Sequence, residues 1–443
     1  MTAKLSLPKN SIMLSTDFVY GVATASFQIE GGANNRLPCI WDTFCDTPEK
    51  VIDGSNGLTA CDHFSLWKED IKLIKSLGVD AYRLSISWPR VITQSGKLNY
   101  EGVKFYLNIL DELRSHNIKA FVTLYHWDLP QHLEDEGGWL NRATAYKFRD
   151  YADLISQAFG DRVYSYATLN EPFCSSFLGY EVGIHAPGKI GKEYGRKAAH
   201  HLLLAHGLAM PILKKNSPSS KNGIVLNFTP CYPESKSKAD IAASDFADDY
   251  FNQWYIKPLF DGKYPEILEQ LPLEHRPVIE PGDMEIISHP IDFLGVNFYT
   301  RAIYRANVHE HFHQIEPPEP RTDIGWEIYP KAFSELLTSL NEKYTLPPIY
   351  ITENGAATDD NIIDGVVNDN DRIEYYQMHL NAVNDAIEQG VNVKGYFAWS
   401  LMDNFEWAEG YLKRFGIVYV DYGSQIRTIK NSGHAYKALI SKR

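Results

Sequence analysis

Eight apolar, β-branched runs alternating with eight helical patterns predict an α/β fold of the (β/α)8 TIM-barrel type, one domain over residues 1–443 with long loops after its strands. Three observations carry this expectation. The runs are near-continuously apolar, as parallel strands covered on both faces require. The length of 443 residues exceeds an ordinary domain but suits one large barrel with insertions. No low-complexity linker, composition break or short repeat divides the chain. A doubly wound open sheet is the alternative, but it would want a glycine-rich phosphate loop, and Gly21, Gly31 and Gly32 do not spell GxGxxG.

The expected order begins with the strand Tyr20 to Thr24, the amphipathic stretch Leu66 to Leu77 and the strand Val79 to Ile86. Next, Tyr106, Ile109, Leu110 and Leu113 fall at i, i+3, i+4 and i+7, one face of a helix. The strand Ile118 to Tyr125, the helix Ala143 to Phe159, the strand Val163 to Asn170 and the helix Tyr194 to Lys214 continue the alternation. It proceeds through the strand Gly223 to Phe228, the helix Ala239 to Tyr255, the strand Ile291 to Phe298 and the helix Tyr329 to Tyr344. The last pairs are Pro348 to Glu353 with Arg372 to Gln389, and Val393 to Trp399 with Ser432 to Ser441.

Composition narrows the partners. A net charge of −13, from 56 acidic against 43 basic residues without any Lys/Arg-rich block, argues against nucleic acid and anionic membranes. The N-terminus, Met1 to Pro8, lacks an apolar signal core, and no stretch is long and apolar enough to span a bilayer. Five cysteines, an odd number without CxxC spacing, argue against a disulfide framework and a zinc knuckle. A cytoplasmic protein is expected, with the cysteines serving as small apolar residues. A homo-oligomer is compatible with these features. The 27 Tyr, 21 Phe and 9 Trp include flat rings of the kind that cover sugar faces, although aromatics also fill cores.

Two segments place a glutamate at the end of an apolar run: Tyr166-Ala167-Thr168-Leu169-Asn170-Glu171-Pro172 and Ile349-Tyr350-Ile351-Thr352-Glu353-Asn354-Gly355. A carboxylate is costly where a strand enters a packed interior. Two facing one bond are the apparatus of glycoside hydrolysis. Taken alone, each glutamate is equally well a strand-end residue paired with a buried arginine. In a (β/α)8 barrel, however, the C-terminal strand ends line the site, and His126, Trp127, Asn170, Glu171, Asn297, Tyr299, Glu353 and Trp399 all fall there. So many hydrogen-bonding and aromatic groups converging on one face mark a binding site.

With these motifs in view, the chain resembles glycoside hydrolase family 1, the β-glucosidase family, over nearly its whole length. The further matching segments are Phe27-Gln28-Ile29-Glu30-Gly31, Ile40-Trp41-Asp42-Thr43-Phe44, Tyr82-Arg83-Leu84-Ser85-Ile86-Ser87-Trp88-Pro89-Arg90 and Leu124-Tyr125-His126-Trp127-Asp128-Leu129-Pro130. Later come His185-Ala186-Pro187-Gly188, Asn297-Phe298-Tyr299-Thr300 and Trp399-Ser400-Leu401-Met402-Asp403-Asn404-Phe405-Glu406-Trp407. The resemblance implies that Glu171 is the general acid/base and Glu353 the nucleophile. Retention of configuration follows if their carboxyls lie about 5 to 5.5 Å apart. It also implies that Arg83, Asn297 and Tyr299 hold Glu353 anionic, while the charge of Glu353 pushes Glu171 toward its neutral form. The implied sugar-binding set is Gln28, His126, Trp127, Asn170, Tyr299, Glu406, Trp407 and Phe415, with Trp399 as stacking floor. Trp326, Asn227 and Phe173 fall on the leaving-group side. No metal or cofactor is implied.

Relatives that cleave 6-phosphorylated glycosides carry serine at the position of Glu406 and tyrosine at that of Phe415, and keep the lysine matched by Lys413. An anionic Glu406 beside the sugar's 4- and 6-hydroxyls would repel a phosphate, so an unphosphorylated glycone is expected. Thioglucosidases of the family use glutamine at the acid/base position, unlike Glu171. Phe173 and Tyr166 stand where tryptophan is common, and Leu37 and Cys39 also depart from the usual pattern. His309-Glu310-His311-Phe312-His313 looks like a metal site on paper, but a solvated loop is the expected reading. A carbohydrate-binding barrel without activity would lack a carboxylate, and a metal-dependent barrel hydrolase would want clustered ligands where His126 and His185 stand alone. The expected activity is retaining hydrolysis of terminal β-D-glucosyl residues from aryl glucosides and short oligosaccharides such as cellobiose. β-Fucosides and β-galactosides are alternatives, and 6-phosphoglucosides a weaker one.

Overall fold

The computed structural model describes residues 4–443, so Met1 to Ala3 of the N-terminal stretch considered above lie outside the described residues. Eight parallel strands close a barrel in chain order: β1 (Val19–Ala23), β2 (Ala81–Ser85), β3 (Lys119–Tyr125), β4 (Ser165–Asn170), β5 (Lys221–Phe228), β6 (Phe293–Phe298), β7 (Ile349–Asn354) and β8 (Val393–Trp399). The ring shuts where Val19 to Ala23 pair with Gly395 to Trp399. Each strand falls inside or within two residues of its expected run. The β-branched and aromatic side chains favour a pleated surface buried on both sides.

Alternate residues point inward and outward. The inward ones, including Phe121, Phe293, Tyr350 and Phe397, form a ring-rich plug; Phe121 meets Phe397 at 4.8 Å and Tyr350 at 5.3 Å between centroids. Gly21 is required here, since a Cβ on it would lie 2.3 Å from the Phe397 ring. The outward residues pack under helices such as Ala143–Phe159 and Lys192–Asn216. No helix among the described residues is long and apolar enough to cross a membrane.

Two expectations change. The helix expected over Ala239 to Tyr255 runs as Lys238–Asp248, then a π-helical turn over Asp249–Gln253, then Trp254–Asp261. Pro258 lies within the last piece without ending it; Gly262, in the left-handed conformation, ends it. The segment His309 to His313, expected as a solvated loop, forms the turn and outer strand of a hairpin in which Ala302–Asn307 pairs with His311–Gln314. The physical reason is packing: Phe312 lies against Tyr304 and Phe251, the His311 ring stacks on Phe246 at 4.2 Å, and His313 is exposed. With Cys231–Pro233 the hairpin makes a three-stranded sheet beside the barrel mouth.

Candidate active site

A cavity of about 800 Å³ opens at the C-terminal strand ends. His126, Trp127, Glu171, Asn297, Tyr299, Glu353, Trp399, Glu406, Trp407 and Phe415 line it, as do Phe173, Asn227 and Trp326. Arg83, Asn170 and Gln28 stand behind this lining and join it through hydrogen bonds. The structure therefore brings every sequence-predicted site residue to one place. Three lining residues that are not glycine, Trp127, Glu171 and Trp407, have left-handed backbone with φ of 79°, 48° and 52°. Such conformations cost roughly 1 to 3 kcal/mol each and persist where the surroundings fix them.

The two carboxyl groups live in unlike settings. Glu353, on β7, accepts a hydrogen bond on each oxygen: from the Arg83 guanidinium at 2.6 Å and from the Tyr299 hydroxyl at 2.6 Å. Arg83 is itself buried and donates its other nitrogen to Asn170 Oδ1 at 2.7 Å. Glu171, just past β4, makes no ion pair among the described residues. Burial pushes its carboxyl up to about 7, and the charge of Glu353 adds to the push. The push from the charge of Glu353 is as the sequence predicts, and desolvation is the larger cause.

Asn297 departs from expectation. Its amide donates to Glu171 Oε1 at 2.5 Å and to Asn170 Oδ1 at 3.0 Å, and its carbonyl accepts from Thr352 at 2.6 Å. Its side chain therefore supports Glu171 directly and reaches the Glu353 strand through the Thr352 hydroxyl. Strand register explains this. Asn297 is the penultimate residue of β6, between Glu353 on one neighbouring strand and Asn227 on the other, and it turns across the barrel to Glu171 and Asn170.

Glu406 brings a second correction. Burial, together with the charges of Glu353 and Glu171, pushes its carboxyl up to about 8, so at neutral pH it is largely neutral instead of anionic. The sequence displays a carboxylate; it does not display three of them sharing one cavity. Charge repulsion by Glu406 is thus a weaker barrier to phosphate than expected. Lys413, which could have attracted one, is instead bound to Asp323 through the backbone oxygen at 2.7 Å and the carboxylate at 3.0 Å.

Several buried polar atoms lack a protein partner, among them Gln28 Oε1 and His126 Nδ1. Asn170 donates to His126 Nε2 at 3.1 Å, which leaves the ring proton on Nδ1; burial keeps this histidine neutral. A buried acceptor and a buried donor without partners are rare in a folded interior unless a ligand or water completes them. Aromatic rings form the walls: Trp407 packs on Trp127 at 4.6 Å, and Trp399 lies nearly parallel to the His126 ring at 5.9 Å. On the other side Trp326 packs on Tyr299 and Phe415, while Phe173 stacks on Phe177.

Two features escaped the sequence reading. Cys174, taken as a small apolar residue, donates its thiol to Glu171 Oε2 at 3.0 Å. Its place three residues after Glu171, one helical turn on, is the signal that could have shown it. The second is a buried ionic network behind the loops after β7 and β8. Lys430 bridges Asp360 at 2.5 Å and Asp403 at 2.6 Å, Arg414 reaches Asp403 at 2.6 Å, and Arg372 joins Asp360 at 2.7 Å and Asp369. Asp403 sits three residues before Glu406, so the network anchors the segment that carries Glu406 and Trp407.

Comparison with known proteins agrees with this geometry. The model of Glycosyl hydrolase family 1 matches residues 10–443. A beta-glucosidase from Agrobacterium sp. is 46% identical over 435 residues, covering 96% of this chain and 95% of its own. A bifunctional beta-D-glucosidase/beta-D-fucosidase from Bifidobacterium breve is 42% identical, covering 96% and 97%. The solved beta-glucosidase from Thermotoga maritima in complex with deoxynojirimycin superposes with a TM-score of 0.94 at 43% identity, covering 97% of this chain and 98% of that one. The chain belongs to glycosyl hydrolase family 1 and is a retaining glycoside hydrolase.

Proposed function

We propose that this enzyme is a β-glucosidase that removes terminal, non-reducing β-D-glucosyl residues from aryl glucosides and short β-linked oligosaccharides such as cellobiose. One observation carries the reading: two buried glutamates share a cavity, one gripped by an arginine and a tyrosine and the other desolvated and outside any ion pair among the described residues. That division of labour is what double displacement needs. Glu353 attacks the anomeric carbon and forms a glycosyl ester as the C1–O bond breaks, and the leaving oxygen takes the Glu171 proton. Glu171, now a carboxylate, takes a proton from water as the water oxygen bonds to C1, which releases Glu353. Esterification removes the charge of Glu353, so the proton affinity of Glu171 falls between the two steps.

Gln28, His126, Asn170, Glu406 and Trp407 hold the hydroxyls of the glucosyl unit, and Trp399 covers its face. The unpartnered Gln28 Oε1 and His126 Nδ1 support this assignment. Phe173, Asn227 and Trp326 face the leaving group, and Phe415 closes the wall near Trp326. β-Fucosides, which lack the 6-hydroxyl, are side substrates, as the name of the Bifidobacterium relative supports. The chain acts as a single catalytic domain: Tyr436, near one end of the chain, donates to the Gly21 carbonyl of β1 at 3.0 Å. Five free cysteines support a cytoplasmic site, and the acidic charge disfavours nucleic acid.

The test is a comparison of kcat/KM over nitrophenyl β-glucoside, β-fucoside, β-galactoside and 6-phospho-β-glucoside, with the configuration of the released sugar followed by NMR. The glucoside is hydrolysed with release of the β-anomer and the phosphorylated substrate is poor; no glucoside hydrolysis, or inversion, overturns the reading. A pH prediction accompanies it. The first step requires protonated Glu171, so for a poor leaving group kcat/KM falls as pH rises through about 7. A profile level up to pH ~9 would contradict the role given to Glu171.

A further inference from the structure

The carboxyl of Glu171 receives one hydrogen bond on each oxygen, from the Asn297 amide on Oε1 and the Cys174 thiol on Oε2. Both residues are largely buried, Glu171 at 5% and Cys174 at 7% exposure, on the wall of the cavity. The charged and titratable groups around the carboxyl are Glu353 on β7, Arg83 on β2, Glu406 in the loop after β8 and Tyr299 beyond β6. Arg83 donates to Glu353, Asn170 and the Thr352 carbonyl, and Tyr299 to Glu353, so neither donates to Glu171. Asn297 and Cys174 are therefore the donors that set the orientation of Glu171.

We propose that Cys174 is a positioning residue for the acid/base, holding Glu171 Oε2 with a donor weak enough that the carboxyl can still be protonated. A donor to a carboxylate favours the charged form, and stronger donors favour it more. A thiol is the mildest donor available at this place; a hydroxyl would over-stabilise the base, and a hydrocarbon would leave burial unopposed. Burial and the charge of Glu171 hold the thiol itself well above its ordinary range, so it remains a donor at every working pH.

The proposal rests on Glu171 being the acid/base and predicts shifts of opposite sign. With cellobiose as substrate, the alkaline limb of kcat/KM moves up by about half to one pH unit in Cys174→Val and down by a similar amount in Cys174→Ser. A merely structural role moves both limbs alike or neither, and either result overturns the proposal. Should Cys174→Val not fold, judged by its thermal midpoint, Cys174→Ser decides alone: a limb at or above that of the native enzyme is the overturning result. Glu171→Ala separates the two layers. If its pH profile with a dinitrophenyl glucoside keeps the native alkaline limb, Glu171 is not the acid/base and the proposal falls with that assignment. If that limb is gone while the cysteine variants match the native enzyme, only the role of Cys174 fails.

Discussion

Replacing Glu353 by glutamine ends turnover, with kcat lower by on the order of 10⁴-fold or more even for a dinitrophenyl glucoside. The amide keeps the shape of the carboxyl but cannot form a glycosyl ester that water then cleaves. It also leaves the Arg83 guanidinium buried without its anion, where the native pair is 2.6 Å apart. Two measurements check this together. Steady-state rates with a highly activated glucoside give the loss, and intact-protein mass after exposure to a slow-turnover fluoroglucoside shows one glycosyl adduct on the native enzyme and none on Glu353→Gln. Native-like turnover by the variant would remove Glu353 from the mechanism.

Glu171→Ala behaves differently, and the difference diagnoses its role. Loss of general acid catalysis costs about 10² to 10⁴-fold for a substrate whose leaving group needs the proton. A dinitrophenolate leaves unaided, so the ester still forms, and its hydrolysis now limits the rate because no base remains. Azide needs no base. It attacks C1 of the ester, the C1–Glu353 bond breaks, and β-glucosyl azide accumulates as turnover recovers. Glu171→Ala also removes the acceptor of both the Asn297 and the Cys174 hydrogen bonds, opening room for a small anion. Absence of rescue, or an equal loss on good and poor leaving groups, would speak against the acid/base assignment.

The eight strands were legible because a parallel strand buried on both faces writes a continuous apolar run, and little else in a soluble chain does. Both glutamates were legible because a charge at the end of such a run is conspicuous. What stayed hidden was direction and company. Asn297 shows its strand in the sequence but not whether it turns toward Glu353 or Glu171, which the barrel's curvature decides. Glu406 reads as an anion until three carboxyls are placed in one cavity. Cys174 is silent because a thiol and a small apolar residue look alike until the neighbour is known. The Lys430 network joins residues 70 and 27 positions apart, a pairing no local pattern records. The hairpin Ala302 to Gln314 is hidden in the sequence because the polar His-Glu-His run masks the inward Phe312.

The same hairpin has a consequence for how the enzyme can diversify. The glutamates, Arg83, Asn170 and Asn297 are seated on or beside barrel strands whose pairing fixes the whole ring. Tyr304 and Gln314 of the hairpin line the same cavity, but they belong to a small sheet outside that ring. Changes there re-shape the entrance without passing strain to the reacting atoms. The entrance is thus a separable part, which substitutions can re-shape while the bond-breaking machinery stays unchanged.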